Sequence, residues 1–280
     1  MAKIKVVTDS TIDLTLEEAE KYGIEMIPLC INIDNETYLD RVELTPTDFI
    51  EKMKNSKELP KSSQPAIGSF VEVYERLVSE GYDVISIHMT GGMSGTVRAA
   101  ESAAQMVEGN ITVVDSMYIT KALSFQVFEA VKMIEDGHTV EEIITRLEEV
   151  RQNTNLFVVV DTLENLVKGG RIGRGKGLIG SLLNIKPIAS LADGVYTPVA
   201  KVRSHSQIVK FLTKQFEEHT EGKSIKGVGL VHADGFGLAS KLKESIVKAR
   251  GYTQFSIEDT TPIISTHTGI GAIGFMYFAE

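Results

Sequence analysis

Val84-Ile85-Ser86-Ile87-His88-Met89-Thr90-Gly91-Gly92-Met93-Ser94-Gly95-Thr96 runs from an apolar, β-branched strand pattern through a glycine loop. Beyond it Val97–Val107 carries apolar residues at helical spacing, with the small residues Ala99, Ala100, Ala103 and Ala104 on it. Strand, tight loop and helix in that order make half of a βαβ unit. The same texture surrounds it. Ile4–Val7, Ile111–Val114 and Leu156–Val160 are further β-branched runs without polar alternation, as strands covered on both faces read. Between them lie helices with readable starts: Thr15-Leu16-Glu17-Glu18 and Thr139-Val140-Glu141-Glu142 fit the capping box, and Thr45-Pro46 puts proline at the first helical position. Met117–Ile134 is apolar nearly all round and reads as an internal helix. The expected fold is therefore α/β, with a mainly parallel sheet flanked by helices.

The texture changes after Asp161. A glycine-rich basic stretch over 169–180 leads to Ile185–Leu191, then Asp193-Gly194, then Val195–Val202. Asp-Gly between strand patterns predicts a hairpin, because its primed turn needs positive φ at both central positions. A helix from Ser204, a strand near Ile225–Val231, a helix over Phe236–Lys248, a strand around Thr253–Ile257 and a final apolar segment follow. This divides the chain into an N-terminal α/β domain over 1–160 and a smaller C-terminal α+β domain over 161–280. Residues 32–65 form a polar excursion with its own small hairpin and helix.

Composition bounds the function. The 280 residues are 42% hydrophobic and 24% charged, a soluble globular balance. Lys plus Arg number 29 against 38 acids, a net charge of −9, and there is no Trp. That disfavours nucleic-acid binding, which calls for a basic footprint and stacking aromatics. One cysteine, Cys30 in apolar surroundings, forms no internal disulfide and reads as a small core residue. Met1 to Asp9 reach an acid before a signal-peptide core could form, and no apolar run approaches the eighteen or so residues that span a bilayer. A cytoplasmic protein with no stable membrane anchor is expected.

Two nucleotide signatures nearly fit and fail. Gly170-Arg171-Ile172-Gly173-Arg174-Gly175-Lys176-Gly177 has the P-loop frame, but Gly177 stands where a magnesium-binding hydroxyl is required. Gly269-Ile270-Gly271-Ala272-Ile273-Gly274 matches a dinucleotide motif with only six residues of the 280 left after it, and close backbone packing explains it better. Asp9-Ser10 follows the first strand, where an aspartyl nucleophile is conceivable and a loop-orienting cap is favoured. The 88–96 loop is more informative. Its glycines free the backbone while Ser94 and Thr96 supply hydroxyls at a helix start, which suits a phosphate or a carboxylate. Lys61-Ser62-Ser63-Gln64-Pro65 taken alone is a hydroxyl-rich cap before the amphipathic helix Ile67–Val78. Of the six histidines, His267, between hydroxyls and glycines in Ser265-Thr266-His267-Thr268-Gly269, is the best placed to donate to an anion.

Taken together, Asp9-Ser10, Ser62-Ser63-Gln64-Pro65, Ser94-Gly95-Thr96, Asp115-Ser116, Lys168-Gly169-Gly170-Arg171, Lys186-Pro187 and His267-Thr268-Gly269 resemble the DegV family, and within it the fatty-acid-binding proteins that serve bacterial fatty acid kinase. The sequence departs at Ser62, where family members often have Thr, and at Thr90-Gly91-Gly92, where Ser is common. The resemblance implies a two-domain α/β fold holding a long-chain fatty acid, its carboxylate bound by Ser62, Ser63, Ser94, Thr96 and His267. It implies no catalytic residue of the chain's own, no metal and no cofactor. A separate ATP-bearing kinase partner would phosphorylate the presented carboxylate to an acyl phosphate. Lys168, Arg171, Arg174 and Lys176, a basic cluster in an acidic chain, would then meet phosphates or the partner. A tail of about fifteen methylenes gains about 12 kcal/mol from burial before ordering costs, so affinity belongs to the tunnel and orientation to the hydroxyls. The rival reading is a self-sufficient hydrolase or phosphotransferase using Asp9, Ser94 and His267.

Overall fold

The computed structural model describes residues 3–179 and 185–280. β1 (Lys3–Asp9) leads through a single 3₁₀ turn to α1 (Leu16–Lys21) and β2 (Glu25–Ile27). The excursion follows as β3 (Cys30–Ile33), β4 (Glu36–Leu39), α2 (Pro46–Asn55) and β5 (Lys61–Ser63). Next come α3 (Ile67–Ser79), β6 (Tyr82–His88), α4 (Thr96–Ala104), β7 (Ile111–Asp115), α5 (Thr120–Glu135) and α6 (Val140–Gln152). The second half runs β8 (Thr154–Val159), α7 (Glu164–Lys168), a 3₁₀ segment Gly173–Leu178, β9 (Lys186–Ser190), β10 (Thr197–Val202), α8 (His205–Thr220), β11 (Ile225–Ala233), α9 (Phe236–Arg250), β12 (Ile257–Asp259), α10 (Pro262–Thr268) and β13 (Ala272–Ala279).

Three sheets result. The first, in the order β2-β1-β6-β7, is wholly parallel. Successive side chains of a strand point to opposite faces, so Val6 packs with Leu123, Val127 and Leu147 of α5 and α6, while Val7 packs with Phe70, Tyr74 and Ala100 of α3 and α4. The alanines of α4 let that helix lie close to α3. The second sheet, β10-β9-β8-β13-β11-β12, is antiparallel except for the β11–β12 pair. One face carries α8 and α9 through Leu212, Phe216 and Leu242; the other, with Leu156, Val158 and Met276, turns toward Ile119, Leu29 and Met89 of the first half. The small third sheet, β4-β3-β5, belongs to the excursion.

Both capping boxes form, at Thr15 and Thr139, and Pro46 takes the first helical position behind Thr45. Asp193 and Gly194 have φ of 54° and 72°, and β9 and β10 pair antiparallel across them. Gly271 and Gly173 are places of close approach: a Cβ on Gly271 would lie 2.5 Å from Asp161 Oδ2, and one on Gly173 2.6 Å from the Tyr196 carbonyl.

Four expectations need correction. The Leu156–Val160 run is β8, which pairs antiparallel with β9 and β13 instead of extending the parallel sheet. A strand buried on both faces reads alike in either setting, and the chain leaves the first sheet between α6 and β8. The internal helix starts at Thr120, because Met117 and Thr120 both adopt positive φ. Ser62 and Ser63 do not cap α3, whose start has no side-chain cap; they sit in β5, paired to β3. Cys30 is half-buried, since β3 turns Ile31 and Ile33 into the core and the alternate residues away.

Candidate functional site

A largely apolar cavity lies where the second sheet faces the first half. Its walls come from both: Leu29, Met89, Met93 and Ile119 on one side, Val158, Leu191 and Ile264 on the other. Among the sequence candidates Ser62, Ser63, Ser94, Arg171 and His267 reach it. A second, more polar cleft adjoins it, lined by Lys57, Lys61, Glu164 and Lys168 among others. Ser62, Arg171 and His267 line both. They therefore form the partition between a space that suits a hydrocarbon and one open to water.

Each polar group reaches the partition by a local device. β5 presents half-buried Ser62 and, on the alternate face, exposed Ser63. The loop after β6 brings Ser94 to the wall just ahead of α4. Its Oγ lies 2.8 Å from Thr96 Oγ1, and Thr96 itself is fully buried, so Thr96 meets the cavity through Ser94. The Gln64 amide lies where a Cβ on Gly95 would sit, which locks the two hydroxyl loops together. His267 rides on α10, capped by Thr261 with Pro262 at the first position. Burial and the neighbouring Arg171 cation push the His267 imidazole down to about 4, so the ring is neutral.

That ring's tautomer follows from its two sides. Nε2 lies 2.6 Å from Ser62 Oγ. Nδ1 is buried with no hydrogen-bond partner among the described residues, and it packs against Gly169, where a Cβ would come within 2.4 Å. A buried orphan N–H is rarer and costlier than an orphan lone pair, which places the proton on Nε2. Ser62 Oγ then accepts from His267 and keeps its own O–H free to donate into the cavity. Arg171 donates from Nε to the Met93 carbonyl at 3.0 Å and from a terminal nitrogen to the Gly169 carbonyl at 2.6 Å. It has no carboxylate partner among the described residues. Burial lowers its pKa, yet a guanidinium stays charged, so an uncompensated cation stands beside two hydroxyls and a neutral imidazole. The set suits a carboxylate or phosphate head group. No grouping of three or more His, Cys, Asp or Glu among the described residues is placed to hold a metal ion.

The other basic residues are differently engaged. Lys168 pairs with Glu164 at 2.7 Å and Arg174 with Asp193 at 3.0 Å, both well exposed. Lys168 lines the open cleft; Arg174 sits away from both spaces, and Lys176 is exposed. Asp9 is not brought to Ser94 and His267. Fully buried, it accepts from Thr11 N and Oγ1, from Met89 N at 2.8 Å and from His88 Nδ1 at 3.1 Å, and so orients the loop that carries Ser94. Of seven apolar residues that the sequence leaves open as tunnel lining, Ile119 lines the cavity; Phe49, Phe70 and Phe275 are core, Phe125 and Phe128 are partly buried against core clusters, and Leu182 lies outside the described residues. Sequence reading missed Tyr196. It is 1% exposed, it lines the cavity, and its hydroxyl has no partner among the described residues. No signal near Asp193-Gly194 distinguishes it from any hairpin aromatic.

Among the described residues no helix is long and apolar enough to cross a membrane. A family model described as an uncharacterised protein of the DegV family matches residues 3–280. A DegV domain-containing protein of Listeria monocytogenes is 47% identical over 281 residues, all of both chains. Among solved structures, a fatty-acid-binding DegV family protein from Thermus thermophilus superposes with a TM-score of 0.94 at 30% identity, covering 100% of both chains. DegV from Bacillus subtilis, described as a fatty acid binding protein, gives 0.89 at 35% identity over 99% of this chain and 100% of its own. With a family match that spans nearly its whole length, this chain belongs to the DegV family.

Proposed function

We propose that this protein binds a long-chain fatty acid in the apolar cavity and presents the carboxylate to a separate ATP-dependent kinase, which converts it to an acyl phosphate. The observation that carries the reading is the partition: Ser62, Arg171 and His267 line the apolar cavity and the open polar cleft at once. A chain inside the cavity would set its head group among these residues, with Ser63 and Ser94 beside it. The structural neighbours from Thermus thermophilus and Bacillus subtilis, which bind fatty acids, support the ligand. A neutral His267 suits the task. It donates through Nε2 to Ser62 without neutralising the carboxylate by proton transfer, and the Arg171 charge keeps that carboxylate anionic and nucleophilic. The cleft lined by Lys57, Lys61 and Lys168 is the side from which a phosphoryl donor would approach. The cytoplasm, where such a kinase finds ATP, is the proposed location, and in this reading the chain supplies no catalytic residue of its own.

Mass spectrometry of an organic extract of the purified protein tests the ligand. A stoichiometric long-chain acid is expected. An empty protein that also fails to take up added fatty acid would overturn the reading. Acyl phosphate formed from the loaded protein only when a fatty acid kinase and ATP are added is expected for presentation. Formation by the protein and ATP alone would favour a self-sufficient phosphotransferase instead.

A further inference from the structure

Next to the main cavity lies a smaller apolar one, which shares Ile119, Val158, Ile264 and Thr268 with it. An acyl chain held in the main cavity would reach this smaller one across those shared walls. The smaller cavity is not wholly hydrocarbon in character. Thr120 lines it, is 3% exposed, and its Oγ1 is buried with no hydrogen-bond partner among the described residues. The other hydroxyls there are already engaged: Thr260 Oγ1 donates to Asp13 at 3.0 Å and Thr268 Oγ1 to the Ile264 carbonyl at 3.0 Å. An unpaired buried hydroxyl is destabilising, and a valine of the same shape would avoid that penalty. Thr120 also holds φ at +58°, uncommon for any side chain and an outlier for a β-branched one.

We propose that the smaller cavity is a polar subsite for an acyl chain that carries a hydroxyl or oxo group far from its carboxylate, hydrogen-bonded to Thr120 Oγ1. This rests on the cavity holding a fatty acid and goes on to name the class of chain. Burying a hydroxylated tail in a wholly apolar tunnel strands the ligand's hydroxyl. Here the ligand's unpaired group and the protein's satisfy each other, so a functionalised chain gains twice over a plain one. Tyr196, whose unpaired hydroxyl lines the main cavity and not the smaller one, is the control.

The test compares affinities for stearate and for a panel of hydroxystearates that differ in hydroxyl position, in the wild type, Thr120→Val, Thr120→Ser and Tyr196→Phe. For the best-placed isomer, the ratio of the stearate Kd to the hydroxystearate Kd is expected to fall by about tenfold or more in Thr120→Val, the loss of one buried hydrogen bond. Thr120→Ser should restore it and Tyr196→Phe leave it unchanged. A ratio equal in wild type and Thr120→Val for every isomer, or one moved by Tyr196→Phe alone, would overturn the subsite. Stearate binding in the wild type separates the two readings, because its absence defeats fatty acid binding itself whereas its persistence with an unmoved ratio defeats only the subsite. Valine keeps the β-branched shape at the same backbone angle, and retained stearate binding by Thr120→Val reports that the variant is folded.

Discussion

His267 and Arg171 stand together on the partition, and the first is neutral partly because the second is charged. Burial and that charge take the imidazole from 6.5 to about 4. The unfolded chain then binds a proton in this interval that the native state refuses, so stability rises with pH across it. The contribution is therefore complete above 6.5 and lost as the pH falls toward 4. A shift of that size is worth about 3 kcal/mol. Relative to His267→Gln, which has no such titration, the wild type should lose about 3 kcal/mol over the interval in urea melts run at successive pH values. Parallel curves for the two proteins would mean that the ring is not held neutral by its surroundings. The same residue illustrates what is legible in a sequence. A histidine flanked by hydroxyls and glycines can be singled out as an anion donor, but its partner Ser62 lies 205 positions away and is joined to it by the fold alone.

At the scale of elements the short helix α10 carries the site. Thr261 caps it by accepting from Ile264 N at 3.2 Å, and Asp13, at the far end of the first turn after β1, accepts from Thr260 Oγ1 and Thr261 N, both at 3.0 Å. Asp13 thus ties the first half to the helix that aims His267. Burial pushes its carboxyl from 3.8 up to about 6, against the pull of Arg41, whose guanidinium is 3.5 Å away. Here the native state holds the extra proton, so the sign is opposite to that of His267. The contribution is complete below 3.8 and lost as the pH rises through 6. Asp13→Asn keeps a carbonyl acceptor and tolerates the residue's φ of 57°. Relative to Asp13→Asn, the wild type should lose about 3 kcal/mol as the pH rises between those values, read from the same melts. An unchanged pH profile would remove Asp13 as a titrating anchor. Elements specified by local chemistry were legible: the boxes at Thr15 and Thr139, the Thr45-Pro46 start and the Asp193-Gly194 turn each carry their own hydrogen-bond or φ requirement. Elements decided by a distant partner were not. Ser62-Ser63 becomes a strand because β3 lies alongside, and Leu156–Val160 turns antiparallel because β13, more than a hundred residues later, pairs with it.

The whole molecule depends on how its halves meet, and the glycine loop that disclosed the α/β half also makes the joint. Thr90 Oγ1 donates to the Gly194 carbonyl at 2.8 Å, and Arg171 Nε donates to the Met93 carbonyl at 3.0 Å, so the second half grips the loop at two points. Between them Gly92 lies flat against the hairpin turn. A Cβ there would come 2.6 Å from the Gly194 carbonyl and 2.8 Å from Val195 Cγ1. The first of these is backbone, held by a turn whose Asp193 and Gly194 already sit at positive φ, so it has little room to give. Gly92→Ala should therefore force the halves apart, at a cost of about 1–3 kcal/mol. Gly177→Ala, with nothing within 4 Å of the added carbon, should change stability little and serves as the matched control. Because the cavity is walled by both halves, Gly92→Ala should also weaken fatty acid binding while Gly177→Ala does not. Melting curves with and without added fatty acid check both effects, since a ligand bound only by the native state raises the melting temperature according to its concentration over Kd. If Gly92→Ala melts with the wild type and gains as much from the ligand, the joint does not run through the loop, and the cavity owes its shape to the two sheets alone.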